Sequence, residues 1–310
     1  MPLRFSFRQL EYLVAVGEAG TIAMAAQRVN VSSPSISSAI SQLETDLGLQ
    51  LFVRHHAQGL SLTPGGRRVF IAAKQILSDA NGLTDLANDI LETARGPIAI
   101  GALSTLAPIV SARLRRSFEA AYPDASVSLK EGSQTHLLRM LGQAEIDVAI
   151  TYDLDIPKDI QFEPVATLPP YVMLAKDHPK AAQPALNLAE LKDEAMILLD
   201  LPLSRDYFLS LFHDCGLRPN IAARTSDMSM VRSLVANGFG FGLVNLRSRS
   251  DLAPDGETLV TRPLAGPVRP VVLGLATKGS DHRSGIVTAF FRHAKDQLGR
   301  GEHLMPDDQP

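Results

Sequence analysis

Residues 7–66 read FRQLEYLVAVGEAGTIAMAAQRVNVSSPSISSAISQLETDLGLQLFVRHHAQGLSLTPGG, and the caps, apolar spacings and breakers in this stretch decide the N-terminal fold. Leu10, Leu13, Val14 and Val16 recur at helical spacing between polar residues, which predicts a short amphipathic helix over 7–19 that Gly20 ends. Thr21 is placed to cap a second helix over 22–29, whose Ala23, Ala25 and Ala26 leave room for another helix to pack closely. Ser32-Ser33-Pro34 is a helix start, with Ser as the cap and Pro in the first turn. Ile36, Ile40, Leu43 and Leu47 then follow at intervals of four, three and four, on one face of a helix stopped by Gly48.

Working outward, partial alternation over 49–63 around the polar Arg54-His55-His56-Ala57-Gln58-Gly59 predicts a hairpin. Thr63-Pro64 opens a helix without internal proline to about residue 94, long enough to be a spacer or a coiled coil, and Arg95-Gly96-Pro97 breaks it. Beyond it strands and helices alternate: strands near 98–103, 126–130 and 147–152 with helices between, then a second unit of the same kind from about Pro164. That order implies parallel strands with helical crossovers. A helix over 284–298 closes the chain before a polar tail.

Two short helices joined by a tight turn, with a hairpin behind, form the arrangement that lays a second helix in the major groove of DNA. The exposed face of the helix from Ser32 offers Ser33, Ser35, Ser37, Ser38, Ser41 and Gln42, and its N-terminus attracts phosphate. Arg54, His55 and His56 of the hairpin are placed to reach a neighbouring backbone or groove, with Arg28, Arg67 and Arg68 adding charge. Solvation alone also accounts for a Ser-rich face. Charge leans toward DNA: residues 1–75 hold seven Lys/Arg against four Asp/Glu, or +3, leaving 23 against 29, or −6, in the rest of a chain of net −3.

The 310 residues, 45% hydrophobic and 20% charged, have the composition of a globular protein of two or three domains. The lone Cys215 excludes an intrachain disulfide, fits a reducing cytoplasm and reads as a small buried side chain. No apolar stretch reaches membrane-spanning length, and the first residues lack a signal peptide's apolar core. Gly-x-Ser-x-Gly, P-loop and His-Glu-x-x-His motifs are absent, and Gly238-Phe239-Gly240 precedes a strand rather than opening a helix. These features argue against an enzyme, a metal site or a cofactor.

Residues 7–66 resemble the LysR-type transcriptional regulators along nearly their whole length. The matching positions are Phe7 and Leu10; Thr21 with Ala25-Ala26; Val31-Ser32, Pro34, Ser37, Leu43-Glu44 and Leu47-Gly48; then Leu51-Phe52, Leu62-Thr63 and Gly65-Gly66. Phe118, Tyr122-Pro123, Asp147-Val148-Ala149 and Gly238-Phe239-Gly240 extend the likeness, which covers roughly residues 5–300. Ser33 and Ser38 depart from it, standing where relatives carry glutamine and a basic residue. With no Lys or Arg between Ser32 and Leu47, bidentate arginine readout of guanine is closed to this helix, which shifts the expected affinity toward the hairpin, its flanks and DNA shape.

The resemblance implies an α+β N-terminal winged helix-turn-helix (1–63) with a long linker helix (64–95). A C-terminal α/β effector domain of two Rossmann-like subdomains follows (96–300, one of 96–165 with 268–300, the other 166–267), then a flexible tail (301–310). It also implies a cytoplasmic regulator of transcription that binds double-stranded operator DNA and a small-molecule effector, as a homodimer assembling into a homotetramer. The DNA-facing candidates are Arg28, Ser32, Ser33, Pro34, Ser35, Ser37, Ser38, Gln42, Arg54 and His55. A cytoplasmic solute-binding protein with a helical stalk, or a DNA binder without effector, are the alternatives.

In two α/β lobes the ligand belongs in the cleft beyond the carboxyl ends of strands. The turns after strands supply Ser104, Thr105, Ser133, Gln134 and Tyr152 from one lobe, and residues 201–205 and 238–245, with Ser204, Arg205 and Phe239, from the other. Hydroxyls, free N–H groups and Arg205 suit a small organic anion or an amino-acid-like molecule. Simple helix capping is the competing role for the hydroxyls, a surface ion pair for Arg205, and core packing for Phe239. By resemblance, Thr105 matches the hydroxyl position at which relatives hold their effector.

Overall fold

The structure, a computed structural model, describes residues 4–55, 59–90, 94–279 and 283–299. His56 and the tail expected over 301–310 lie outside them. The chain divides into two compact units, residues 1–91 and 92–310.

In the first unit, α1 (Phe7–Ala19), α2 (Ile22–Val29) and α3 (Ser33–Leu47) are each bounded by local chemistry. Ser6, Thr21 and Ser32 accept hydrogen bonds from Gln9, Met24 and Ser35 N–H groups at the three starts. Gly20, Asn30 and Gly48 end the helices in the left-handed region, φ 70°, 58° and 61°. The apolar stripes converge on one core of Leu10, Leu13, Val16, Ala25, Ala26, Ile36, Ile40 and Leu43. Ala23 and Leu47, expected to pack, are exposed, Leu47 because it closes the last turn of α3.

The hairpin forms as β1 (Phe52–His55) and β2 (Gly59–Leu62), antiparallel with Phe52 opposite Leu62. Helix α4 (Pro64–Ile90) follows. Ala94 is not helical, so the helix is shorter than its expected end, and residues 91–93 lie outside the described ones. Glu44 Oε1 accepts from Leu51 N (2.7 Å) and Phe52 N (3.1 Å), fastening α3 to the start of the hairpin. The Gly65-Gly66 pair acquires a reason: a Cβ on Gly66 would lie 2.0 Å from Leu51 O.

The second unit runs β3 (Gly96–Leu103), α5 (Ala107–Ala121), β4 (Ala125–Gly132), α6 (Gln134–Gly142), β5 (Val148–Tyr152), β6 (Ile160–Leu168) and β7 (Tyr171–Ala175). It continues through β8 (Leu186–Asn187), α7 (Leu188–Leu191), β9 (Ala195–Leu199), α8 (Ser204–Asp214), β10 (Asn220–Thr225), α9 (Met228–Ala236) and β11 (Gly242–Val244). β12 (Leu259–Ala265), β13 (Val271–Lys278) and α10 (Gly285–Gly299) complete it.

The first lobe is a five-stranded sheet in the order β4-β3-β5-β13-β6. Strands β3, β4 and β5 are parallel, as their helical crossovers demand, but β13 runs antiparallel to both β5 and β6. The all-parallel expectation is therefore corrected to mixed sheets. The second lobe carries β11-β7-β12-β8, with β7 antiparallel to β11 and β12, and a parallel pair β10-β9 joined to it by a Met196–Phe241 bridge.

Pro164, taken as the opening of the second unit, lies within β6 beside a register irregularity opposite Leu273 and Gly274. The strand stays in the first lobe as far as Leu168, and the chain crosses at residues 169–170 and returns at 266–270. Leu168 pairs with Val271, so both crossings lie side by side. The expected buried Cys215 is instead exposed, at the C-cap of α8 just past its last residue, Asp214.

Candidate functional site

On α3 and its cap, Ser32, Pro34, Ser35, Ser38, Ser41 and Gln42 are exposed, while Ser33 and Ser37 are half-buried. Several of these groups already have partners: Ser32 Oγ lies 2.7 Å from Ser35 Oγ, and Gln42 Nε2 donates to Asp46 Oδ1 at 2.9 Å. Arg28 ion-pairs with Glu18 at 2.6 Å, and Lys74 reaches the same carboxylate at 3.1 Å. Arg28 therefore meets a phosphate only by giving up an exposed pair, a modest cost. Arg54 and His55 lie on β1, with side chains outside the described ones.

In the second unit a cleft opens between the lobes. Thr105 and Tyr152 line it from the first lobe, and Ser204 from the second. Helix α5 is preceded at its N-cap by Leu106, which makes no side-chain cap bond, so the Thr105 hydroxyl is not a cap. Tyr152 is buried at the end of β5, and burial, reinforced by the neighbouring Tyr207, raises its pKa far above the ordinary phenol value. Leu203, just before Ser204, has φ 66°, a conformation costly to a branched side chain and held by its surroundings.

The other five expected residues are placed elsewhere. Ser104 is exposed and does not line the cleft. Ser133 caps α6, accepting from His136 N at 3.4 Å. Gln134 is buried, and its Nε2 donates to the carbonyls of Tyr152 (3.0 Å) and Leu154, holding the end of β5. Arg205 turns to Asp206 (2.9 Å) and Asp200 (3.1 Å), and those two carboxylates raise its pKa. Phe239 is 62% exposed, neither core nor cleft. The next residue, Gly240, packs against β9: its Cβ would fall 2.2 Å from Ala195 O, and Phe241 N donates to that same carbonyl at 2.8 Å.

The sequence reading did not single out Tyr207, Phe208, Met228, Arg232 and Ser248, which line the cleft together with Val244 and Asn245 of the expected 238–245 segment. Tyr207 and Phe208 follow Ser204 by about one helical turn. Met228 and Arg232 share a face of α9, which starts after β10. That strand alternates exposed and half-buried residues, too weak a pattern to be read as a strand, so the turn after it was passed over. Tyr207 Oη donates to Arg269 O (2.7 Å) and accepts from Asn245 Nδ2 (3.0 Å), which also reaches Leu168 O (3.3 Å). Burial pushes the Tyr207 phenol up to about 12.

Two family models match this chain, that of the bacterial regulatory helix-turn-helix protein of the lysR family over residues 7–67 and that of the LysR substrate binding domain over 92–299. The chain belongs to the LysR family. CysB of Haemophilus influenzae is 26% identical over 299 residues, covering 94% of this chain and 90% of that protein. BudR of Raoultella terrigena is 30% identical over 244 residues, covering 76% and 83%. The crystal structure of HinK, a LysR family transcriptional regulator from Pseudomonas aeruginosa, is 34% identical with a TM-score of 0.65, covering 96% of this chain and 99% of that one. As a LysR-type transcriptional regulator, the chain couples a DNA-binding helix-turn-helix to a domain for a small-molecule effector. Among the described residues no helix is long and apolar enough to cross a membrane.

Proposed function

We propose that the inter-lobe cleft holds the effector and that α3 carries Ser33, Pro34, Ser35, Ser38 and Gln42 into the major groove, with Arg54 and His55 on flanking DNA. The observation that carries the effector assignment is the origin of the lining. Thr105, Ile109, Tyr152 and Leu154 come from the first lobe, and Met173, Leu199, Ser204 and Phe208 from the second. A ligand touching both sets binds the closed arrangement more tightly than the open one, which is the differential affinity a population shift requires. The wall is mainly hydrocarbon, which suits a small molecule with an apolar body and few polar groups.

In this reading the protein acts by binding alone, in the cytoplasm. Helix α4 pairs with its copy to give a homodimer with two reading heads, and two dimers form a homotetramer. The test is a mobility-shift titration on the intergenic DNA upstream of its own gene, with a thermal-shift screen of small acids and amides and sizing by light scattering. Expected are salt-sensitive, sequence-selective binding and a ligand whose stabilisation is weakened by Thr105→Val. Equal affinity for random duplexes defeats the reading of α3. A ligand indifferent to every cleft substitution defeats the reading of the cleft.

A further inference from the structure

Arg232 lies one helical turn beyond Met228 on α9, and both residues line the cleft. Its Nη2 donates to two main-chain carbonyls, Ser250 O at 2.7 Å and Leu252 O at 2.9 Å. These contacts orient the guanidinium but bring no negative charge to it. The residue is half-buried, and burial lowers its pKa, with Asp251 offsetting part of the effect; an arginine so placed still remains a cation at neutral pH. No Asp or Glu is among the described residues lining the cleft, and more than half of the lining is apolar, including Met173, Leu199 and Phe208. A cation taken partly out of water beside hydrocarbon is costly unless something of opposite charge meets it.

We propose that Arg232 is the counter-ion for the effector, and that the effector is a monoanionic acid on an otherwise apolar skeleton. This rests on the cleft being the effector site. The expected candidate for that charge, Arg205, is ion-paired with Asp200 and Asp206, whereas the hydrogen bonds of Arg232 go to neutral carbonyls and Asp251 acts on it only as a neighbouring charge. The same lining discriminates against other acids. The ammonium of an amino acid finds no carboxylate in the cleft, and the second carboxylate of a diacid finds apolar wall. A neutral isostere keeps the shape but loses the charge-assisted hydrogen bond.

The experiment is calorimetric and thermal-shift titration of the full-length protein with 3-phenylpropionate and hexanoate, their primary amides, succinate and phenylalanine. The two monoacids are expected to bind about tenfold to a hundredfold more tightly than their amides, the range of one charge-assisted hydrogen bond. Arg232→Gln should erase the preference for acid over amide, while Arg232→Lys should keep it. Equal binding of acid and amide by the unaltered protein, tighter binding of succinate or phenylalanine, or no binding by either monoacid overturns the proposal. The acid-to-amide comparison needs no variant, so a misfolded Arg232→Gln leaves it intact. Ser204→Trp, which fills the cleft, separates the two readings. If it leaves the acid preference unchanged, the cleft assignment fails; if it abolishes binding while acid and amide bind the unaltered protein alike, only the role of Arg232 fails.

Discussion

Replacing Tyr207 by Phe removes one buried oxygen and little else. The hydroxyl donates to Arg269 O at 2.7 Å and accepts from Asn245 Nδ2 at 3.0 Å, and Asn245 keeps only a longer contact, 3.3 Å, to Leu168 O. Leu168 ends β6 and Arg269 sits just before β13, so this pair ties the second lobe to both crossings. Deleting the oxygen leaves a part-buried carbonyl and a buried amide each short of a partner, a loss of about 2 kcal/mol. For a unit of this size, 1 kcal/mol moves Tm by roughly 2–4 °C, so Tyr207→Phe should lower the melting of the second unit by about 4–8 °C in calorimetry. Asn245→Ala in the same background should show a coupling of about 1 kcal/mol, because the two residues share one bond. A Tm within about 1 °C of the unaltered protein, or strictly additive single and double variants, would refute the idea that this clasp holds the crossings.

Gly66→Ala should unfold the reading head selectively. Its Cβ, 2.0 Å from Leu51 O, forces apart a turn held by Thr63 N to Leu51 O (2.9 Å) and Gly66 N to Thr63 Oγ1 (2.7 Å). At about 3 kcal/mol the first calorimetric transition should fall by more than about 10 °C while the second stays put, and parallel shifts of both would contradict the argument. In alkali, the unfolded chain ionises Tyr207 near 10.0 and the folded one only near 12, so stability is complete below pH 10 and is lost as pH rises through that window. Denaturant titrations between those limits should show a shallower loss for Tyr207→Phe, and an identical slope counts against the buried-phenol account. Arg54→Ala should weaken DNA binding more than Ser38→Ala in a salt-controlled titration, since the hairpin and not the helix supplies the charge; the reverse order removes that inference.

The reading head was legible because its determinants are local. Ser6, Thr21 and Ser32 start helices within three residues of the groups they cap, Gly20 and Gly48 end them, and the apolar spacing alone selects the buried face. Charge asymmetry and the missing cysteine partner needed no coordinates either. Even there, tertiary structure decided which polar groups are already spoken for: Arg28 by Glu18, and Glu44 by the hairpin backbone.

The cleft was only half legible. Thr105, Tyr152 and Ser204 were reachable because each ends or follows a recognisable strand, whereas the amide of Gln134 serves carbonyls about twenty residues away. Tyr207 and Arg232 were passed over because their neighbours are set by β13 running antiparallel between β5 and β6, and by β9, β10 and β11 meeting in the second lobe. Helix ends depend on hydrogen bonds spanning three or four residues, so the order of residues alone specifies them. Which walls face one another across a cleft depends on strand pairings between segments up to more than a hundred residues apart, such as Leu168 with Val271, and those exist only once both lobes have folded.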